Sequence, residues 1–153
     1  MSVMSTMPAT REASSPSFLE FVVIIAFMMA LGSMSIDNLL PAFDFIRSDF
    51  GLESTNEVQL ILSAYMIGFA IMQLVYGPAS DIVGRKPTLM VGLVIFAIGS
   101  VIALYSTSFE MLLAARFIQG MGAAATRILS VAIVRDRFQG REMARVMSLT
   151  MMV

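Results

Sequence analysis

The sequence contains no cysteine, no histidine and no tryptophan, and only 14% of its 153 residues are charged. Without cysteine there are no disulfides and no thiolate metal sites, and without histidine the commonest general base and the imidazole metal ligand are both gone. Any catalysis would have to run on carboxylates or hydroxyls, and neither a phosphate-binding glycine loop nor another catalytic motif is present. No catalytic residue, metal site or cofactor is therefore expected. Net charge is -1 with the basic residues scattered, so there is no track on which a nucleic-acid backbone could lie. A soluble domain carries about a quarter charged residues. The 58% hydrophobic content here is that of a membrane protein, whose first partner is lipid.

A helix needs about 20 residues to cross roughly 30 Å of hydrocarbon at 1.5 Å per residue. Four apolar segments reach that length: Phe18 to Leu40, Val58 to Tyr76, Pro87 to Tyr105 and Met111 to Val134. A fifth starts at Val146, and "VMSLTMMV" is too short to span. These segments give an all-α integral membrane fold of four complete transmembrane helices plus the start of a fifth. The chain ends inside an apolar run, which reads as a fragment. Residues 1–17, rich in Ser, Thr and Pro, read as a disordered tail preceding a partial transporter half over residues 18–153. "ALG" at Ala30 to Gly32 loosely resembles a signal-peptide cleavage site, but the apolar stretch continues to Ile36, and a spanning helix fits better.

Basic residues in short loops stay on the cytoplasmic side. Arg85 and Lys86 follow the second span, and Arg135, Arg137, Arg141 and Arg145 follow the fourth. The loop after the first span has Asp44, Asp49, Glu53 and Glu57 against Arg47 alone, and Ser106 to Glu110 after the third has no basic residue. The N-terminus is therefore expected in the cytoplasm. Tyr76 and Tyr105 fall near the expected interfaces as aromatic anchors. "GPASDIVGRKP", Gly77 to Pro87, reads as a tight cytoplasmic turn between the second and third spans, with Pro87 opening the third.

Charges inside the spans are the main functional signal, because ionisable residues there usually face partners or water-filled cavities. Asp37 and Arg116 both fall in the outer half of the bilayer and could meet, as a structural ion pair or as part of a transport path. Arg127 lies about two turns from the cytoplasmic end, where it could snorkel. Ala64 with Gly68, and Gly120 with Ala124, have the four-residue spacing of small residues that lets membrane helices approach closely. Fifteen methionines suit an adaptable drug pocket but do not locate one.

Gly77, Asp81, Gly84, Arg85 and Lys86 have the G-x-x-x-D-x-x-G-R-K spacing of the loop between helices two and three in the major facilitator superfamily, which the chain resembles. Arg116, Gln119, Gly120, Gly122, Ala123 and Ala124 resemble the R-x-x-Q-G-x-G-A-A segment of helix four in its proton-coupled members. "DNLLPAF" from Asp37 and "AIVRDRFQGREMARVMSL" from Ala132 are similar to drug:proton antiporters of the bicyclomycin and chloramphenicol resistance type. The resemblance implies the N-terminal portion of a multidrug efflux transporter of the bacterial inner membrane, part of the first of two six-helix halves built from inverted repeats. It further implies a small lipophilic drug as substrate, a proton gradient as driving force and further helices of the same transporter as partners, the fragment alone being inactive. Asp37 would take up the proton, Arg116 would organise coupling, and Asp81, Arg85 and Asp136 would latch the two halves. Ile82 departs from the pattern, since many members have a basic residue there. Two other readings stay open: a short membrane protein acting as an interaction or regulatory module, and a portion of a solute uptake permease.

Overall fold

The structure is a computed structural model, in which residues 18–52 and 54–150 are described. The expected tail of residues 1–17 and Glu53 lie outside them. Among the described residues six α-helices follow one another: α1 (Phe18–Asp37), α2 (Phe43–Asp49), α3 (Thr55–Val83), α4 (Arg85–Leu104), α5 (Phe109–Arg137) and α6 (Gly140–Thr150), with a 3-10 turn at Leu40–Ala42 before α2. Four stretches, Phe18–Asp49, Asn56–Val83, Arg85–Leu104 and Phe109–Arg137, are long and apolar enough to cross a membrane. The chain is an all-α membrane fold, as its composition indicates.

Local chemistry sets the helix starts. Ser54 opens α3 with a reciprocal cap: its hydroxyl accepts from the Asn56 N–H at 3.1 Å, and the Glu57 carboxylate accepts from the Ser54 N–H at 3.4 Å. At the head of α5 the Ser108 hydroxyl accepts from the Met111 N–H at 3.2 Å. Both helices then run for 29 residues, about 43 Å at 1.5 Å per residue, so they project beyond the hydrocarbon.

The turn expected over Gly77 to Pro87 is corrected by the structure. α3 continues through Gly77 and Pro78 to Val83, and the reversal takes place at Gly84 alone, whose φ of 104° suits glycine. Proline removes one backbone hydrogen bond, a loss that membrane helices tolerate where neighbours hold the segment. Here Tyr76 and Ser80 on either side of Pro78 are buried, and the Ser80 hydroxyl donates to the Gly77 carbonyl at 2.8 Å. The Thr88 hydroxyl closes the junction from the other side, donating to the Gly84 carbonyl at 2.8 Å. Tyr76 is therefore no interfacial anchor: it is 3% exposed, in a cluster with Ala124, Ala125 and Leu129. Tyr105 is 70% exposed, at the end of α4.

α5 is the axis of the bundle, with α3 along one side and α4 along the other. Two residues apart on a helix means about 200° of rotation, so Gly120 and Gly122 point to opposite sides. A Cβ on Gly120 would overlap the Tyr65 carbonyl of α3, and one on Gly122 would overlap the Phe96 amide of α4. The neighbours answer in kind, with Gly68 against the Phe117 carbonyl, Gly92 against Ala125 and Gly99 against the backbone of Gln119. Val58 and Ile61 of α3 cluster with Leu112 of α5, and Tyr76 further along clusters with Leu129, so α3 runs parallel to the axis; Gly92 meets Ala125 and Gly99 meets Gln119, so α4 runs antiparallel. α1 closes the bundle by packing Phe21, Val22, Ile25 and Met28 against Val134 and against Val146 of α6. α6 begins at Gly140, ahead of the apolar run, because Met143, Val146, Met147 and Thr150 form one helical stripe that carries the intervening charges on its other face. The exposed apolar residues of α4, among them Val94, Ile98 and Val101, form the stripe left for lipid.

Gly120→Ala should lower the unfolding temperature of the detergent-purified chain, at a cost of about 1 to 3 kcal/mol for an overpacked contact against backbone that cannot rotate away. Gly32, whose added Cβ meets nothing within 4 Å, should accept alanine without loss. Equal melting of the two variants would refute the packing.

Candidate functional site

Arg116 leaves α5 towards α1. One of its terminal nitrogens donates to the Ser35 carbonyl at 3.4 Å and to the Gln119 side-chain oxygen at 3.1 Å. Gln119 lies three residues on, on the same face of the helix. Its amide nitrogen donates in turn to the Ser100 hydroxyl of α4 at 2.8 Å, and Ser100 donates to the Phe96 carbonyl at 2.9 Å. The chain of donors runs one way, from a guanidinium that can only donate to a carbonyl that can only accept. It fixes the rotamers of Arg116 and Gln119 across three helices.

Asp37 is placed differently from the sequence expectation. It is the last residue of α1, its side chain is exposed, and among the described residues it forms no ion pair with Arg116. Arg116 is already held by the carbonyl of Ser35, two residues earlier on α1. The carboxylate and the guanidinium therefore share the end of one helix without touching.

At the opposite end of the bundle, Asp81, Arg85 and Asp136 come together. Arg85 binds the Asp81 carboxylate at 2.7 Å and the Asp136 carboxylate at 2.9 Å, and it also donates to the Ser80 hydroxyl. Three helix ends meet at this point: the last turn of α3, the first residue of α4 and the last turn of α5. Each charge has the unfavourable sign for its own helix, with carboxylates at negative C-terminal ends and a guanidinium at a positive N-terminal end. Pairing cancels what each helix alone would resist. Lys86 is exposed and takes no part in these pairs. Gly77 does not shape the turn, and Gly84 does.

Between α1 and α3, over the face of α5, lies a cavity of about 380 Å³, within the range of small-molecule sites. Met29, Ile36, Met66 and Phe69 make its apolar wall, and Ser33, Tyr65, Gln73, Thr126 and Arg127 supply polar groups. A second space of about 320 Å³ continues from Gln73 and Arg127 towards Asp81 and Arg85. Sequence reading named neither Tyr65, Gln73 nor Ser100, whose only signal was a polar side chain within an apolar run. It named Gln119 without its partner. Arg127, which depth alone would let snorkel, lines the larger cavity instead.

Four helices long and apolar enough to span a bilayer, a half-buried arginine network and a polar-lined cavity among them describe an integral membrane protein with a solute-sized site. Residues 22–153 match the Major Facilitator Superfamily, and the chain belongs to that family of transporters. It is 40% identical over 146 residues to the "Uncharacterized MFS-type transporter YdgK" of Bacillus subtilis, covering 95% of this chain and 35% of that protein. It is 30% identical to "Multidrug resistance protein D" of Escherichia coli, covering 84% of this chain and 32% of the relative. Identity to the "Bicyclomycin resistance protein homolog" of Haemophilus influenzae is 33%, over 84% of this chain and 32% of that protein. The chain thus spans about a third of the length of these relatives.

Among the described residues the buried Tyr76 and Ser130 hydroxyls and the Arg116 Nε have no hydrogen-bond partner, whereas the Ser100 hydroxyl has two. Ser100→Ala should therefore cost about 1 kcal/mol or more by stranding the Gln119 amide, while Ser130→Ala should be neutral or stabilising. Thermal unfolding of the two variants in detergent checks this, and the reverse order would contradict the network.

Proposed function

We propose that this chain supplies part of a drug efflux transporter that exchanges small lipophilic molecules for protons across the bacterial inner membrane. The observation that carries the reading is the Arg116 guanidinium held inside the bundle on the Ser35 carbonyl, at the same end of α1 as Asp37. Asp37 is exposed and so open to protons from the aqueous side. Asp37 carries the proton, Arg116 organises the coupling, and the solute sits apart in the cavity lined by Ile36 and Tyr65. The names of the relatives, multidrug resistance and bicyclomycin resistance, favour export and drugs. Further helices of a longer transporter would supply the rest of the wall of the cavity between α1 and α3.

In this reading the N-terminus and the junction of α3 and α4 face the cytoplasm, since Arg85, Lys86, Arg135 and Arg137 gather at that end. The cluster of Asp81, Arg85 and Asp136 acts there as the latch that holds one conformation. Its members are half-exposed, so the pairs are worth about 1 kcal/mol or less each and break readily.

The test is a chimera in which residues 18–150 replace the matching segment of Multidrug resistance protein D, assayed in vesicles for drug movement driven by a pH gradient. Asp37→Asn should reduce gradient-driven transport at least about tenfold while drug counterflow persists, because the proton loses its carrier and the solute keeps its site. Undiminished gradient-driven transport by the Asn variant would remove Asp37 from the mechanism.

A further inference from the structure

We propose that Arg127 binds the anionic end of an amphiphilic solute held in the cavity between α1 and α3. The proposal rests on the transporter reading above and narrows its substrate class.

Eight positions separate Arg127 from Arg135, about 12 Å along the axis of α5 at 1.5 Å per residue. That places its Cα well inside the Phe109–Arg137 span, where an arginine is unfavourable unless it meets a partner or a water-filled cavity. Arg116 and Arg85 have their partners within the bundle, on Ser35 and Gln119 and on Asp81 and Asp136. Arg127 has neither ion pair nor hydrogen bond among the described residues, and its side chain is exposed on the wall of both cavities. It is also the one charged side chain, among those described, that lines the larger cavity.

The wall around it divides by chemistry. Met29, Ile36, Met66 and Phe69 offer an apolar, adaptable surface for the body of a solute. Gln73, shared by both cavities with Arg127, adds a carboxamide beside a guanidinium of five donors and no acceptor. The complement of such a group is a carboxylate, sulfonate or phosphate attached to an apolar body. A lipophilic cation would meet a like charge here and no carboxylate, since Asp37 lies beyond Ile36 and outside the lining.

Binding can be read on the 153-residue chain itself in phosphatidylcholine nanodiscs, with two fluorescent probes of nearly the same shape. One is anilinonaphthalene sulfonate, which carries the anion, and the other is neutral phenylnaphthylamine. Arg127→Gln should weaken the sulfonate about tenfold and leave the neutral probe within about twofold, with Arg127→Lys close to the parent, as for one hydrogen-bonded charge. Equal loss of both probes, or of neither, would overturn the assignment. The same titration in nanodiscs containing phosphatidylglycerol separates the sources of the anion. Persistence of the Arg127 effect there supports a free solute, and its disappearance overturns the proposal in favour of a lipid headgroup. Because binding is measured without transport, a negative result leaves the efflux reading to its own chimera assay.

Discussion

The fold depends on the backbone of α5 lying against the backbones of α3 and α4 at once. Lipid tails are as apolar as leucine, so the helices gain little from hiding hydrocarbon from one another, and packing has to come from close approach. Gly120 and Gly122 make that possible because their spacing turns one towards Tyr65 and the other towards Phe96. The Arg85 cluster and the link from Gln119 to Ser100 are both placed by this contact. From Tyr65 and Gly120, the parallel helices α3 and α5 run the same number of residues to Asp81 and Asp136, and there Arg85 joins them. The antiparallel contact brings Gly99 against Gln119, which sets Ser100 beside the Gln119 amide.

The two charged sites at opposite ends of the bundle differ in how firmly they are held. Arg116 is half-buried and fixed through Gln119, Ser100 and the Phe96 carbonyl, so moving it means breaking a chain of bonds across three helices. The cluster around Arg85 is open to water and collects charges that the helix dipoles oppose. Such a cluster stabilises one arrangement of helix ends weakly and releases them easily. The transporter mechanism we propose uses both properties: a rigid group to organise proton coupling and a weak one to pass between conformations.

Much of this was legible in the sequence. Length and hydropathy located the spans because crossing a bilayer is a one-dimensional constraint. The small-residue spacing at Gly120 and Ala124 marked α5 as a helix that others approach, although the second glycine, Gly122, needed the structure to show that it serves the opposite neighbour. The composition of Gly77 to Pro87 misled. Glycine and proline are turn formers in water, but α3 packs its Tyr76 and Ser80 against the bundle, and one lost hydrogen bond at Pro78 does not undo that. The same extension of α3 withdrew Tyr76 from the interface. The expected meeting of Asp37 and Arg116 rested on depth alone. Depth says nothing of azimuth, and Arg116 turned to a main-chain carbonyl of α1 that sequence patterns do not reveal.

Because the chain has no cysteine, spin labels can be placed singly on lipid-facing residues without a competing site. The most direct test of the central contact is the distance between labels at Leu74 of α3 and Val94 of α4, measured by double electron–electron resonance. The account predicts a wider separation when either Gly120 or Gly122 becomes leucine, and none when Gly32 does. An unchanged distance in the Gly120 and Gly122 variants would contradict the close approach on which the whole arrangement rests.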